Sequence, residues 1–271
     1  MAWSARNETV EIQKVAWSVA GRRLTAAAGT VTGERYDANY DVVHLDPAHP
    51  LAVVADGMGA GRGSAIAGRT AVDTFVRETP PLRNSTAPAP PTALRSAVAQ
   101  IHQHVRRAGR DLSELTGCTL TAFVTAPAHP DNPGDAAAWI VQLGDSRAYR
   151  LRDGLLELLT TDHTIAWLGL LHGWFTPDSR EAHAARYHLT RYAGHPDEPE
   201  PDILNVALRP GDILLLCTDG VADQLTYERL TQILSTTTDP AEAIHLLLTD
   251  TLTAGGTDNA TAVLIHVEKT I

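Results

Sequence analysis

The sequence predicts an α+β fold, with antiparallel hairpins in the middle of the chain and helices before and after them. Three observations carry that expectation. Apolar runs of strand length recur at Leu51–Ala55, 118–125, 139–143, Ile213–Cys217 and 262–267. Most hold β-branched residues and stop at Gly, Asp or Asn, as strands do. Between them Ala65, Gly68, Val72, Phe75 and Val76 share one face of a helix running on from Gly63-Ser64. Finally, Arg152-Asp153-Gly154-Leu155 places Asp-Gly where a two-residue hairpin favours it.

In chain order, the short run Val42–Leu45 follows Asp41, and Leu51–Ala55 ends at Asp56-Gly57. Residues 79–91, rich in Pro with Ser, Thr and Asn, read as a loop between the first helix and a second over 92–107. The segment 126–135 reads as a long hairpin connection between two strands. Ala241, Ile244, Leu248 and Leu252 form another apolar stripe, opened by Asp239 as cap and Pro240 in the first turn. No internal repeat or composition break divides the chain, so 1–271 reads as a single domain.

A chain of 271 residues with 44% hydrophobic and 20% charged residues is globular in class and long enough for a real core. Its 32 acidic against 22 basic residues give a formal charge of −10, which repels a phosphate backbone, so nucleic acid is not an expected partner. No apolar run approaches the roughly 20 residues that span a bilayer. Met1-Ala2-Trp3-Ser4-Ala5-Arg6 lacks an apolar leader core. The expectation is therefore no membrane, no export and a cytoplasmic location. Cys118 and Cys217, each inside an apolar run, read as buried thiols rather than a disulfide.

Three acids stand where predicted strands end or begin. Asp56 closes Leu51–Ala55, Asp219 follows Cys217-Thr218 and precedes Gly220, and Asp258 leads into 262–267 after Gly255-Gly256. Carboxylates that converge raise one another's pKa unless a cation sits among them. Oxygen-only ligands favour Mg²⁺ or Mn²⁺, and no Cys/His spacing suits zinc. Two such ions about 3.5–4 Å apart clamp a phosphoryl group. Asp145, at the end of 139–143, Asp223, four residues after Asp219, and Asp41, before Val42–Leu45, form a second set.

Plainer readings stand beside these. A strand-end acid can close an Asx turn, and the turn Gly144-Asp145-Ser146-Arg147 can hold Arg147 in an ion pair. Asp223 and Asp41 can act as helix-start or supporting acids. Ser146 lacks the glycines of a nucleophile elbow and has no indicated His/Asp partner. His102 and His104 face different sides of a helix, and His183 with His188 read as solvated. Trp167, Trp174 and Phe175 read as a small core of their own.

Eight segments in order carry a resemblance: Arg35…Asn39-Tyr40-Asp41; Val54-Ala55-Asp56-Gly57-Met58-Gly59; Gly117-Cys118-Thr119; Gly144-Asp145-Ser146-Arg147-Ala148-Tyr149; Thr160-Thr161-Asp162-His163; Pro210-Gly211-Asp212; Cys217-Thr218-Asp219-Gly220-Val221-Ala222-Asp223; and Gly256-Thr257-Asp258-Asn259-Ala260-Thr261. Together they resemble the bacterial metal-dependent serine/threonine protein phosphatases of type 2C (PPM-type). The resemblance implies a four-layer α-β-β-α sandwich, two central antiparallel sheets flanked by helices, with a flap at about 163–201. It implies two Mn²⁺ or Mg²⁺ ions, with a third site. Asp56 would bridge the pair with the Gly57 carbonyl, Asp219 and Asp258 would hold the first ion, and Asp145 and Asp223 the third. Arg35 would grip the phosphate. Asp41 joins both the metal set and the catalytic set (Asp56, Asp219, Asp258, Asp41, Arg35), preceded by Tyr40 where the family usually has an acid.

The implied activity is hydrolysis of phosphoserine and phosphothreonine in a phosphorylated protein partner, by a monomer. The loop Ala60-Gly61-Arg62 and the flap motivate an alternative, a small phosphorylated metabolite as substrate. Tyr40, together with Arg35 one position further from Asp41 than the family pattern implies, motivates another, a catalytically weak module that binds phosphorylated partners.

Overall fold

In β10 (Ile213–Cys217), Leu214 and Leu216 pack into one hydrophobic core while Ile213, Leu215 and Cys217 pack into another. A strand buried on both faces must be apolar at every position, which is why this run carries no polar interruption. The same holds for β4 (Leu51–Ala55), where Ala52 and Val54 face one core and Leu51, Val53 and Ala55 another. The computed structural model describes residues 10–79, 91–126 and 136–268. Of the two expected connections, 80–90 and 127–135 lie outside the described residues.

Eleven strands form two antiparallel sheets among the described residues. The first has the order β1 (Ile12–Val19), β2 (Arg22–Val31), β11 (Ala260–Val267), β10, β7 (Arg147–Arg152), β8 (Leu155–Leu158). The second runs β3 (Val42–Leu45), β4, β5 (Leu120–Ala126), β6 (Ala137–Leu143), β9 (Asp202–Ala207). Between the sheets lies a core that includes Leu24, Phe123, Ile140, Leu214 and Ile265. Helices α1 (Arg62–Glu78) and α2 (Pro91–Ala108) cover the second sheet through Phe75, Leu94 and Ile101. On the far side, α6 (Tyr227–Thr236) and α7 (Pro240–Thr253) cover the first through Leu230, Ile244 and Leu248. The four layers are α-β-β-α, as the resemblance implied. Three short helices remain: α3 (Ile165–Leu171), α4 (Arg180–Ala185) and α5 (Asp219–Ala222). Among the described residues no helix is long and apolar enough to cross a membrane.

Strands β1, β2 and β9 and helices α3, α4, α5 and α6 were not anticipated. The strand expected from 118 begins instead at Leu120, because Cys118 makes single bridges to Gly57 and Ala193 outside the ladder. The β7–β8 turn is as expected: Asp153 and Gly154, at φ 50° and 81°, take the left-handed conformations a type I′ turn demands.

Register decides where the acids go. β3 starts where β4 ends (Val42 opposite Ala55), and β11 starts where β10 ends (Ala262 opposite Cys217). β6 finishes beside the start of β5 (Leu143 opposite Leu120). Asp41, Asp56, Asp145, Asp219 and Asp258 hang from these termini.

Candidate metal centre

Asp56 is fixed through its backbone. Its N–H donates to Thr119 Oγ1 at 2.8 Å, and its carbonyl accepts from Thr119 N–H at 2.9 Å. Thr119 Oγ1 lies 2.6 Å from Ser146 Oγ, so buried Ser146 props the Asp56 strand end and is no nucleophile. Gly57 is required next: a Cβ there would lie 2.7 Å from the Ser64 carbonyl and 2.8 Å from that of Tyr40. Tyr40 itself packs edge-on against Tyr36, ring centroids 5.8 Å apart.

Asp41 accepts a hydrogen bond from Thr218 Oγ1 at 2.9 Å, which ties the start of β3 to the end of β10 across the two sheets. Thr218 Oγ1 in turn accepts from Thr261 N–H at 3.1 Å. Thr261 meets Thr30 at 2.6 Å, and Asn39 Nδ2 donates to Thr30 at 2.7 Å. Asp219 heads α5. Asp258 accepts from Asn259 N–H at 2.8 Å, while Asn259 Oδ1 accepts from Gly33 N–H at 3.1 Å. Gly33 and Gly220 permit this close passage, since a Cβ on either would run into the backbone of Asp258 or Asn259. Gly33→Ala is therefore expected to weaken Mn²⁺ binding by about 10–100-fold, the effect of losing a ligand's support. Calorimetric titration checks it.

The carboxylates sense one another. Burial raises Asp56 well above the usual carboxylate range, and the charges of Asp219, Asp41, Asp145 and Asp258 push it further. Burial, then Asp258 and Asp223, lift Asp219 to about 6. Asp41 reaches about 7, from burial and the Asp219 and Asp258 charges, against opposing bonds from Thr261 and Thr218. Asp145 is raised by burial, Asp219 and Asp162. Asp258 is raised by burial, moderated by Asn259 N–H and Arg35. Five acids from the ends of both sheets thus share one electrostatic neighbourhood.

The residues present fit hard divalent ions. The donors are all oxygen, and Asp219 Oδ1 is buried with no hydrogen-bond partner. Among the described residues no three acidic, His or Cys side chains close into a finished cage. Asp41 leans onto Thr218 and Asp258 onto Asn259, while Asp219 and Asp56 come within reach of a shared proton.

The outer sites differ from expectation in their partners. Arg147 does not serve Asp145; it pairs with Asp162, at 2.9 Å through Nε and 2.6 Å through Nη2. Asp223 is not a helix-start acid but the C-cap of α5, and Arg186 of the segment after α4 reaches it at 3.3 Å. Arg35 is held by its backbone N–H to Thr257 O at 3.0 Å, with its guanidinium 5.4 Å from the Tyr36 ring centroid and close enough to lower the Asp258 pKa. The expected Trp167–Trp174–Phe175 core does not form. Trp167 and Trp174 are 40% and 63% exposed, and only Phe175 packs inward, against Gly169.

Sequence reasoning missed the hydroxyl network of Thr30, Thr119, Thr218 and Thr261, although the last three lie inside quoted motifs. It also missed buried His163. Its Nδ1 accepts from Gly144 N–H at 3.1 Å and its Nε2 meets Asp202 at 3.1 Å, so it steadies the turn that presents Asp145.

The protein phosphatase 2C family model matches residues 33–253, and the chain belongs to that family. The serine/threonine phosphatase stp of Listeria monocytogenes is 28% identical over 226 residues, covering 82% of this chain and 86% of that protein. Among solved structures, the PPM Ser-Thr phosphatase MsPP from Mycobacterium smegmatis, in complex with cacodylate, is similar at a TM-score of 0.73 and 32% identity, covering 89% of this chain and 97% of that one. The catalytic domain of the serine/threonine protein phosphatase PstP, in complex with 2 manganese ions, is similar at a TM-score of 0.75 and 30% identity, covering 91% and 99%.

Proposed function

We infer that this chain is a metal-dependent phosphoprotein phosphatase that hydrolyses phosphoserine and phosphothreonine, with Mn²⁺ or Mg²⁺ as cofactor. One observation carries the reading: acids from the termini of two facing sheets meet around Asp219, whose buried Oδ1 has no partner. Family membership and the serine/threonine phosphatases it resembles support it.

Asp56, with the Gly57 carbonyl, Asp219 and Asp258 would hold the paired ions, with Asp41 supporting from the β3 side and Asp145 and Asp223 forming an outer site. Bound there, divalent ions supply charge neutralisation for the phosphoryl oxygens and acidify the attacking water. Arg35, beside Asp258 at the rim, orients the phosphate by charge-assisted hydrogen bonds. Asp41, anchored by Thr218, holds or takes up a proton. The chain works as one unit over 1–271, with 163–201 as its flap. Buried free Cys118 and Cys217 favour a reducing, cytoplasmic setting, and the substrate partner is a phosphorylated protein met by a monomer.

Purified protein is expected to hydrolyse an aryl phosphate with Mn²⁺ and to lose that activity in chelator. Turnover that persists in chelator overturns the reading.

A further inference from the structure

A cavity of about 250 Å³ joins the acidic centre to the segment 163–201. Its floor holds Asp145, Asp219 and Asp223, and its wall holds Trp167, Leu170 and Tyr187. Ten large hydrophobic side chains are exposed among the described residues, and six of them (Ile165, Trp167, Leu170, Leu171, Trp174, Tyr187) fall between 165 and 187. A concentration of that kind beside an active cleft marks a contact surface rather than scattered surface apolarity.

The local packing leaves these side chains facing solvent, with Trp174 stacked on His172. Helix α3 turns Ala166 and Gly169 inward, and Phe175 seats on Gly169. Helix α4 buries Ala182 and Ala185. Thr164 caps α3 by accepting from Trp167 N–H at 3.1 Å, which fixes the residue that carries the indole while the ring stays 40% exposed. Two charges of the lining are already matched, Asp162 by Arg147 at 2.6 Å and Asp223 by Arg186 at 3.3 Å, while Asp178 stands exposed. An apolar visitor to the Trp167–Leu170 wall therefore need not break either ion pair.

Resting on the phosphatase reading above, we propose that Trp167, Leu170 and Tyr187 form an apolar subsite for a large hydrophobic side chain flanking the phosphoresidue of the protein substrate. A phosphoryl group held at the acids leaves its neighbours in the peptide lying across this wall. The cavity has room for one side chain and not for a folded partner. Aromatic walls with one wet edge suit leucine, methionine or phenylalanine.

The test compares phosphothreonine peptides carrying leucine, serine or lysine at the two positions on either side, with an aryl phosphate assayed in parallel. The wild-type protein is expected to favour the leucine peptide over the serine peptide by about tenfold in kcat/KM. In Trp167→Ala and in Leu170→Ala, both at partly exposed positions, that ratio is expected to fall towards one. Equal rates for leucine and serine peptides, a preference for lysine directed by exposed Asp178, or a leucine preference that survives both substitutions overturns the subsite. Aryl phosphate turnover with Mn²⁺ alongside any of these outcomes leaves the phosphatase reading standing; its absence removes both.

Discussion

Asp219→Asn is expected to lower Mn²⁺-dependent turnover by about a thousandfold and, in chelator at pH 7.5, to raise the melting temperature. Both effects come from one oxygen. Asp219 Oδ1 is buried without a partner, and the carboxyl is lifted to about 6 by burial, Asp258 and Asp223. Asparagine has the same shape but carries no charge, so the repulsion from Asp258, Asp223 and Asp56 is relieved, and its amide can donate to Asp56. Relief of roughly 1–2 kcal/mol corresponds to about 2–6 °C in a chain of this size. The same change removes an anionic ligand. Transition-state stabilisation from the ions is worth several kcal/mol, and about 4 kcal/mol is a thousandfold in rate. Activity and stability measured on one sample decide the matter. A drop in both would make Asp219 a structural acid and count against the metal centre.

What the sequence revealed of the fold depended on how each strand is buried. β4 and β10 lie between two cores, so their runs are apolar throughout, and an aspartate follows each within two residues. β2 is buried over its middle but reads Arg-Arg-Leu-Thr-Ala-Ala-Ala-Gly-Thr-Val, and an alanine-rich stretch has no strand propensity of its own. Pairing with β1 and β11 makes it a strand. The Ala20-Gly21 turn, at φ 48° and 75°, was the available sign of that hairpin. Helices α3 and α4 have 7 and 6 residues, too short for a 3.6-residue period to register. Their caps, Thr164 and Ser179, were the only local marks.

The site was more legible than the fold because its acids sit at chain positions that packing cannot explain. Asp56, Asp219 and Asp258 each stand just outside the end or start of an apolar strand with glycine near, and those glycines mark where backbones pass too closely for a Cβ. The partners of these acids were not legible. Nothing in the spacing of Asp41 and Thr218, 177 residues apart, announces a hydrogen bond between them. The pairings Arg147–Asp162 and Arg186–Asp223 likewise depend on tertiary placement. Residue type reveals chemistry locally, whereas charge pairing is decided by which elements the sheet order makes neighbours.

Mn²⁺ is expected to stabilise the protein far more at pH 7.5 than at pH 5. Asp219 and Asp41 titrate at about 6 and about 7, above the ordinary value of 3.8. The folded chain therefore holds these protons more tightly than the unfolded chain does. Their contribution to stability is complete below about pH 4 and is lost as pH rises through 6 and then 7. At pH 7.5 Asp219 and Asp41 have largely lost their protons and repel each other, so a divalent ion relieves that repulsion. At pH 5 it must first displace protons, which lowers its affinity. With Mn²⁺ at a hundred times its Kd at pH 7.5, mass action adds about 2.7 kcal/mol. That corresponds to roughly 5–10 °C for a chain of this length. The same Mn²⁺ concentration at pH 5 is expected to add less than half of that. Thermal scans with Mn²⁺ and with chelator at both pH values measure the difference, and an equal gain at pH 5 would mean that the ion binds somewhere other than among these raised carboxylates.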